Sequence, residues 1–189
     1  MPSTVEITLD DRWFLPIPGD GDIAQWAREA ASTRQREPDL DDDVDQVIAA
    51  LVGFSEFADP DAAANLLFCP EGLPGRAIVS VFAGRTDLSS LDDLEDDAPA
   101  ALPRQVLPFA DDDPAVARTV STVRQLPDGG VLGVLQLQRL HEGVLIETVA
   151  MSPSLHHLGL GLPWFEELTS RVTVVSDDAR PEGTHVQSA

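Results

Sequence analysis

The second half of the chain contains three runs rich in β-branched and aliphatic residues, Thr119–Leu126, Val131–Leu140 and Val144–Met151. Short connections separate them, Pro127-Asp128-Gly129-Gly130 in the first case and His141-Glu142-Gly143 in the second. Connections of this length require that neighbouring strands run antiparallel. The pattern therefore predicts a three-stranded meander whose central strand is the second run.

Polar and apolar residues alternate along the central run. Successive side chains of a strand point to opposite faces of the sheet. Leu135 and Leu137 are therefore predicted on one face, and Gln136 and Gln138 on the other. We expect the leucine face to belong to the core.

Helical spacing of apolar residues is present in two segments near the N-terminus. The first runs from Asp22 to about Arg36, with Asp20 or Asp22 as its N-cap and Pro38 as its stop signal. The second starts at Val44 and carries a single apolar stripe. The stripe consists of Val44, Val47, Ile48, Leu51, Phe54 and Ala58.

A third helix is predicted at Pro163–Arg171, where Trp164, Phe165 and Leu168 are available to pack. Proline is favoured at the first position of a helix, because its missing N–H would have no partner there. The glycines of the preceding segment, residues 159–162, would allow the backbone to approach an anion. A turn before the helix explains them better, and we adopt that interpretation.

Weaker β patterns complete the prediction. A strand with a bend covers Val5–Leu9 and Trp13–Leu15, and two further strands lie at Asn65–Phe68 and Ala77–Phe82. Val172–Val175 is predicted as an edge strand.

The segment Asp87–Pro114 is rich in acids and interrupted by prolines. We expect most of it to be a solvated connection. A short helix at Leu88–Leu94 and a short strand at Arg104–Leu107 fit within it.

Together the elements predict an α+β fold. Its antiparallel sheet consists of the meander and the N-terminal strands, and it packs with two N-terminal helices and one C-terminal helix. With 189 residues, the chain is expected to form a single domain over residues 1–175. Residues 176–189 have no periodic apolar positions, so we expect a flexible tail.

The last third of the chain resembles a known family. The resemblance lies in the order of elements: the meander, then Met151-Ser152-Pro153, then Leu162–Val175. It is similar to the C-terminal half of PsbP-like α/β/α modules, where an amphipathic helix follows a long antiparallel sheet. The adjacent helices near the N-terminus depart from the usual arrangement of that superfamily. The resemblance implies a mostly non-catalytic binding or accessory module, and it carries over no catalytic residue.

Charge restricts the function further. The chain has 33 acidic and 12 basic residues, which gives a net charge of -21. All the basic residues are arginine, and lysine and tyrosine are absent from the sequence. A lysine-dependent phosphate loop, a Schiff-base enzyme and a Tyr-Lys oxidoreductase pair are therefore excluded. A surface this negative repels phosphate backbones and anionic membranes, so neither nucleic acid nor a membrane is an expected partner.

The cytoplasm is the expected compartment. The segment Met1–Trp13 lacks the basic and apolar regions of a secretory signal. The longest apolar stretches are too short to span a bilayer. Cys69 is the only cysteine of the sequence, which excludes an intrachain disulfide and is compatible with reducing conditions.

Two stretches of the sequence begin like metal-binding motifs, but neither has the required residue at every position. His141-Glu142 begins like the zinc-binding pattern H-E-x-x-H, but Leu145 stands where the second histidine is needed, and the pair falls in a predicted turn. A calcium loop starting at Asp39 fails because Val44 replaces the glycine and Ala50 replaces the bidentate glutamate. We expect no metal and no cofactor.

The remaining reactive side chains also lack a supporting pattern. Ser55 sits in a G-x-S-x-G-like stretch whose last glycine is replaced by Phe57, inside a predicted helix rather than at a strand-to-helix turn. The adjacent His156 and His157 are predicted to lie in an extended loop with no ligand spacing, and Cys69 is predicted to be buried. No catalytic residue is assigned.

Two functions from different classes remain. The first is a non-catalytic protein-interaction module, such as an adaptor, accessory or immunity-type protein, whose acidic surface favours a basic protein partner. The second is a small hydrolase or metal-assisted enzyme whose carboxylates and histidines converge only in the fold.

The first function makes the acidic clusters the candidate binding residues. The clusters are Asp39–Asp45, Asp92–Asp97 and Asp111–Asp113, although helix capping, a solvated loop and compositional bias also explain them. If two or more converge on one face, their summed field favours a basic surface. The candidate partner-binding residues are Asp92, Asp93, Asp96, Asp97, Asp111, Asp112 and Asp113.

Overall fold

The computed structural model describes residues 3–34, 44–94, 100–109, 113, 115–127 and 129–176. In these residues it contains the helices α1 (Ile23–Arg34), α2 (Val44–Ser55) and α3 (Leu155–Ser170) and a 3₁₀ turn at Leu91–Asp93. The strands are β1 (Ser3–Ile7), β2 (Phe14–Ile17), β3 (Ala64–Phe68), β4 (Ala77–Arg85), β5 (Gln105–Pro108), β6 (Ala117–Gln125), β7 (Val131–His141), β8 (Val144–Ser152) and β9 (Val172–Ser176).

Seven of the strands form one antiparallel sheet in the order β2-β3-β4-β8-β7-β6-β5. β1 and β9 pair in a separate antiparallel ribbon. The predicted α+β class with an antiparallel sheet is therefore confirmed. The meander is confirmed as well, because β7 pairs with β6 on one side and with β8 on the other.

Helices cover the two faces of the sheet differently. On one face, Leu135 and Leu137 lie in the same buried cluster as Phe165 and Leu168 of α3, so the predicted leucine face is core. We call it the α3 face. On the other face, α1 and α2 pack over β2, β3 and β4 with a second buried cluster. That cluster includes Ala27, Ala30, Val47, Leu51, Leu15, Leu67 and Ile78.

The second face continues beyond α1 and α2 onto β6, β7 and β8. Here Gln136 and Gln138 point away from the α3 face, as the alternation predicted. Arg118 and Glu147 are the neighbours that the strand register places on either side of Gln138. We call this part of the sheet the glutamine face.

α3 begins earlier than predicted. Its N-cap is Ser154, whose Oγ accepts a hydrogen bond from the N–H of His157 at 3.4 Å. Residues 159–162 are helical, so their interpretation as a turn was wrong, and Pro163 lies inside the helix. Proline there removes one N–H and crowds the carbonyl of Gly159. Both residues are exposed, so water can reach that carbonyl.

The N-terminal strands also differ from the prediction. β1 and β2 are separate strands in two different sheets rather than one bent strand. The N–H groups of Trp13 and Phe14 both donate to the carbonyl of Asp10 at 3.1 Å, and this turn reverses the chain between them. β9 is a strand as predicted, but it pairs with β1 and not with the edge of the main sheet.

The start of α1 follows its sequence signal, whereas α2 ends before Ala58, the last residue of its predicted stripe. Asp22 caps α1 through its Oδ1, which accepts the N–H of Gln25 at 3.0 Å. α2 starts at Val44 and ends at Ser55. Pro38 and the predicted tail, apart from Ser176 at the end of β9, lie outside the described residues.

Both edge strands of the main sheet contain a proline, Pro16 in β2 and Pro108 in β5. The indole Nε1 of Trp26 in α1 donates to the carbonyl of Pro16 at 3.0 Å.

The short helix predicted at Leu88–Leu94 is a 3₁₀ turn of three residues, and the short strand predicted at Arg104–Leu107 is β5.

Candidate interaction surface

The 3₁₀ turn holds two of the candidate aspartates on an anchored backbone. The Oγ of Ser90 accepts the N–H of Asp92 at 3.1 Å and caps the turn. Leu91 is fully buried, and its N–H donates to the carbonyl of Ala115 at 2.8 Å. Asp92 and Asp93 directly follow this anchor and are exposed, so their carboxylates face solvent.

Asp113 organises the segment to which Leu91 is bonded. Its Oδ1 accepts the N–H of Ala115 at 2.9 Å, and its carbonyl accepts the N–H groups of Val116 and Ala117, both at 2.9 Å. Since Ala115 also accepts from Leu91, the two acidic segments meet through this single residue. Asp113 itself is exposed.

Asp92, Asp93 and Asp113 thus form one surface, which we call the acidic corner. Residues from two of the three acidic clusters lie side by side there. The other candidates, Asp96, Asp97, Asp111 and Asp112, lie outside the described residues.

The described residue of the third cluster lies elsewhere. Asp45 is on α2, which packs over β2, β3 and β4, whereas the 3₁₀ turn contacts β7. Asp45 therefore lies over a different part of the sheet from the acidic corner. The other aspartates of the cluster Asp39–Asp45 are outside the described residues.

Arg118 of β6 lies beneath the acidic corner. Its Nη1 is 3.4 Å from Oδ1 of Asp92, and its Nε donates to Oε1 of Gln138 at 2.9 Å. Only 13% of the Arg118 side chain is exposed, against 77% for Asp92. The positive charge of the Arg118 guanidinium partly offsets the negative charge of the Asp92 carboxylate on its buried side. The solvent-facing side of the corner remains negative.

The network continues across the glutamine face. Nε2 of Gln138 donates to Oε1 of Glu147 at 3.0 Å, and Nε2 of Gln136 approaches the same oxygen at 3.4 Å. The acidic corner is therefore connected through Arg118 and Gln138 to the middle of the sheet.

Exposed apolar side chains border the corner. Val116 follows Asp113 closely in the chain and is 40% exposed. Val106, on the edge strand β5, is 57% exposed and pairs with Val120 of β6. The surface around the corner is therefore mixed, with carboxylates beside apolar contact area.

The histidines of the described residues lie at the end of β7 and in α3. His141 is the last residue of β7 and pairs with Val144, so only Glu142 of the His141-Glu142 pair lies in the two-residue turn between the strands. His156 and His157 are in the first turn of α3, not in an extended loop, and their ring centroids are 5.8 Å apart.

Other reactive groups have structural roles. Ser55 is the last residue of α2, and its Oγ donates to the carbonyl of Val52 at 2.7 Å. Cys69 is buried, as predicted. Within the described part of the chain, no three His, Cys, Asp or Glu residues are grouped so that they could hold a metal ion.

A small depression with about 10 Å³ of space, enough to hold about one water molecule, is lined by the connection between β1 and β2, by Phe14 of β2 and by the C-terminal half of α3. Trp164, Asp10 and Arg171 contribute to its lining. Arg12 donates to Asp10 through its side chain and its backbone, and these hydrogen bonds lower the pKa of Asp10 to about 2.

The polar network was not among the sequence predictions, although a signal for it exists. A two-residue turn at Glu142 and Gly143 fixes the register of β7 and β8, and that register places Gln138 opposite Glu147. Counting residues away from the turn along both strands predicts that Gln138 pairs with Glu147. By contrast, no periodic pattern links Leu91 to Ala115, so nothing in the sequence indicated that these two residues would be hydrogen-bonded.

No protein-family model matches the chain, and no curated protein sequence matches it. No helix among the described residues is long and apolar enough to cross a bilayer.

Proposed function

We propose that this protein is a non-catalytic interaction module, of the adaptor, accessory or immunity type, that binds a basic surface of another protein through the acidic corner. The observation that supports this is the 2.8 Å hydrogen bond from Leu91 to Ala115, which holds Asp92 and Asp93 beside Asp113. The net charge of -21 adds attraction at longer range.

The anchoring matters because it preorganises the charges. The backbone at Leu91–Asp93 and the backbone that follows Asp113 are fixed by hydrogen bonds, so little conformational freedom is lost there when a partner binds. Carboxylates at the rim of an interface mainly accelerate encounter, while apolar contacts contribute at short range. Val106 and Val116 are exposed beside the corner and suit that second role.

The resemblance of the C-terminal third to PsbP-like modules implies the same kind of role. It rests on the order of elements from the meander to β9 and stays a prediction. It names no partner, so the chemistry of the acidic corner alone defines the partner that we propose.

The test measures association of the full chain with a fluorescent peptide in which arginine alternates with leucine. The variant Asp92→Asn/Asp93→Asn/Asp113→Asn removes the charge of the corner, and asparagine keeps an oxygen that can accept the N–H of Ala115. The matched control replaces the exposed Asp11, Asp20 and Asp61 by asparagine, which changes the net charge equally.

At 0.01 M salt we expect the corner variant to associate roughly tenfold more slowly than the unmodified protein, and the control to change less than about twofold. At 0.1 M salt the difference should shrink, because the Debye length falls from about 30 Å to about 10 Å. Equal effects of the two variants would show that only net charge matters and would refute the proposal.

A second variant replaces Asp92, Asp93, Asp96 and Asp97 by asparagine and tests the longer acidic run. Its circular dichroism spectrum should match that of the unmodified protein, because Asp92 and Asp93 are exposed and the run that follows them is predicted to be a solvated connection. Its association should be at least as slow as that of the corner variant. Association as fast as that of the unmodified protein would contradict the proposal.

A further inference from the structure

The glutamine face contains a hydrogen-bond donor and an acceptor that lack partners. Within the described residues, Nε of Arg124 and Oε1 of Gln136 are buried and make no hydrogen bond. The hydroxyl Oγ1 of Thr122 is in the same situation, and Thr122 is 5% exposed. Buried polar atoms are normally paired, with protein or with ordered water, so a group of three calls for a physical explanation.

The orientation of Gln136 follows from its neighbour. A carboxylate only accepts hydrogen bonds, so the amide nitrogens of Gln136 and Gln138 both face Glu147. Their oxygens must then point away from it. The oxygen of Gln138 is bonded to Arg118, whereas the oxygen of Gln136 has no donor among the residues that the structure describes.

The strand register places the three residues in a row along the same face of the sheet. Thr122 pairs directly with Val134, and Gln136 lies two positions from Val134 on β7. Arg124 lies two positions from Thr122 on β6. A step of two residues is about 6.6–6.8 Å along a strand and returns to the same face. Thr122 is therefore between the donor and the acceptor.

We propose that bound water, one molecule or two, bridges Arg124, Thr122 and Gln136 on the glutamine face. Water can accept from Nε–H of Arg124 and donate to Oε1 of Gln136, while a threonine hydroxyl can do either. A buried water typically makes about three hydrogen bonds to groups that would otherwise be unsatisfied. The site extends the network that begins at Asp92, but it does not depend on partner binding there.

Thr119 provides the matched comparison. Its hydroxyl is also buried and has no partner in the described part of the chain, but it lies on the α3 face. Its direct neighbours across the strands are Leu137 of β7 and Leu107 of β5. Thr119 therefore lies between two leucines and on the opposite face of the sheet from Arg124 and Gln136, so it is not part of the proposed site.

A crystal structure of the full chain tests the proposal directly. We expect a water peak within hydrogen-bond distance of at least two of the three atoms Arg124 Nε, Thr122 Oγ1 and Gln136 Oε1. A map without such a peak, or one in which these side chains bond directly to each other, would overturn the proposal.

Melting temperatures give an independent test. Thr122→Val should melt roughly 2–8 °C lower, because it breaks the bridge and leaves its other members unsatisfied. Thr119→Val should melt at the same temperature or higher, and Thr122→Ser, which keeps the hydroxyl, should stay closer to the unmodified protein than Thr122→Val. If Thr122→Val is as stable as Thr119→Val, the bridge does not exist. If Thr122→Val does not fold, the crystal structure decides.

Discussion

The rings of Phe68 and Phe165 meet edge to face, with their centroids 4.9 Å apart and an interplanar angle of 70°. Phe68 belongs to β3 and Phe165 to α3, and both are almost fully buried. Gly161 lies one turn before Phe165. A Cβ atom there would collide with the ring of Phe165 and lie 3.0 Å from Cε1 of Phe68. The helix can approach the sheet this closely because residue 161 has no side chain.

Gly161→Ala should therefore destabilise the protein by about 1–3 kcal/mol, because the new methyl group overpacks the contact between the two rings. Gly159→Ala is the matched control, since a Cβ at that helical position meets nothing within 4 Å. Alanine favours a helix over glycine by up to about 1 kcal/mol, so the control should be neutral or stabilising. Denaturant unfolding measures both, and a neutral Gly161→Ala would show that α3 can shift outward freely.

Leu137→Ala and Leu135→Ala should each cost about 2–5 kcal/mol, because both side chains are buried under α3 and the truncation leaves a cavity. Val131→Ala, on the same strand, is the control: Val131 is 45% exposed and should cost less than about 0.5 kcal/mol. A loss below about 0.5 kcal/mol for Leu135→Ala in urea unfolding would show that it is not part of the core.

The sequence predicted the fold correctly where the alternation of polar and apolar residues agreed with the length of the connections. Alternation along β7 assigned Leu135 and Leu137 correctly, because one buried face imposes a period of two and short turns impose antiparallel pairing. It misplaced the start of α3, because Pro163 signals a first helical position. The burial of Leu158 and Gly161 favours an earlier start, and that packing is visible only in three dimensions.

The hydroxyl of Thr169 is hydrogen-bonded to that of Thr148 at 2.8 Å and to the carbonyl of Phe165 at 2.7 Å. Both threonines are fully buried between α3 and β8. Thr169→Val should cost about 1–3 kcal/mol, because it leaves the Thr148 hydroxyl without its partner. In a double-mutant cycle, Thr148→Val/Thr169→Val should cost less than the sum of the single changes. Strict additivity would show that the two hydroxyls are not coupled.

The lowered pKa of Asp10 predicts a pH effect with a definite sign. The value falls from 3.8 to about 2 in the folded protein, so the ionised carboxylate stabilises the fold above pH 3.8. This contribution is lost as the pH falls through about 2. Arg12→Gln should remove the hydrogen bonds from the arginine side chain and move the pKa of Asp10 upward, as NMR titration of the carboxyl carbon would show. A pKa that remains near 2 would mean that Arg12 is not the cause.

The candidate site was only partly accessible from sequence. Solvent exposure of Asp92 and Asp93 could be expected from an acidic segment without apolar periodicity. Their position beside Asp113 could not, because it depends on a backbone hydrogen bond between Leu91 and Ala115, and any residue except proline can donate such a bond. The burial of Leu91 is the physical reason that this bond forms where it does.

The two prolines at the outer strands limit how the main sheet can grow. A strand added beside β2 or β5 would need an unbroken row of outward N–H groups, and Pro16 and Pro108 each lack one. At β2 the carbonyl of Pro16 is already occupied by Trp26. Copies of this chain therefore have a poor template for joining edge to edge. At the two edges of the seven-stranded sheet, the backbone itself therefore disfavours fibril-like stacking, independently of the charge of the protein.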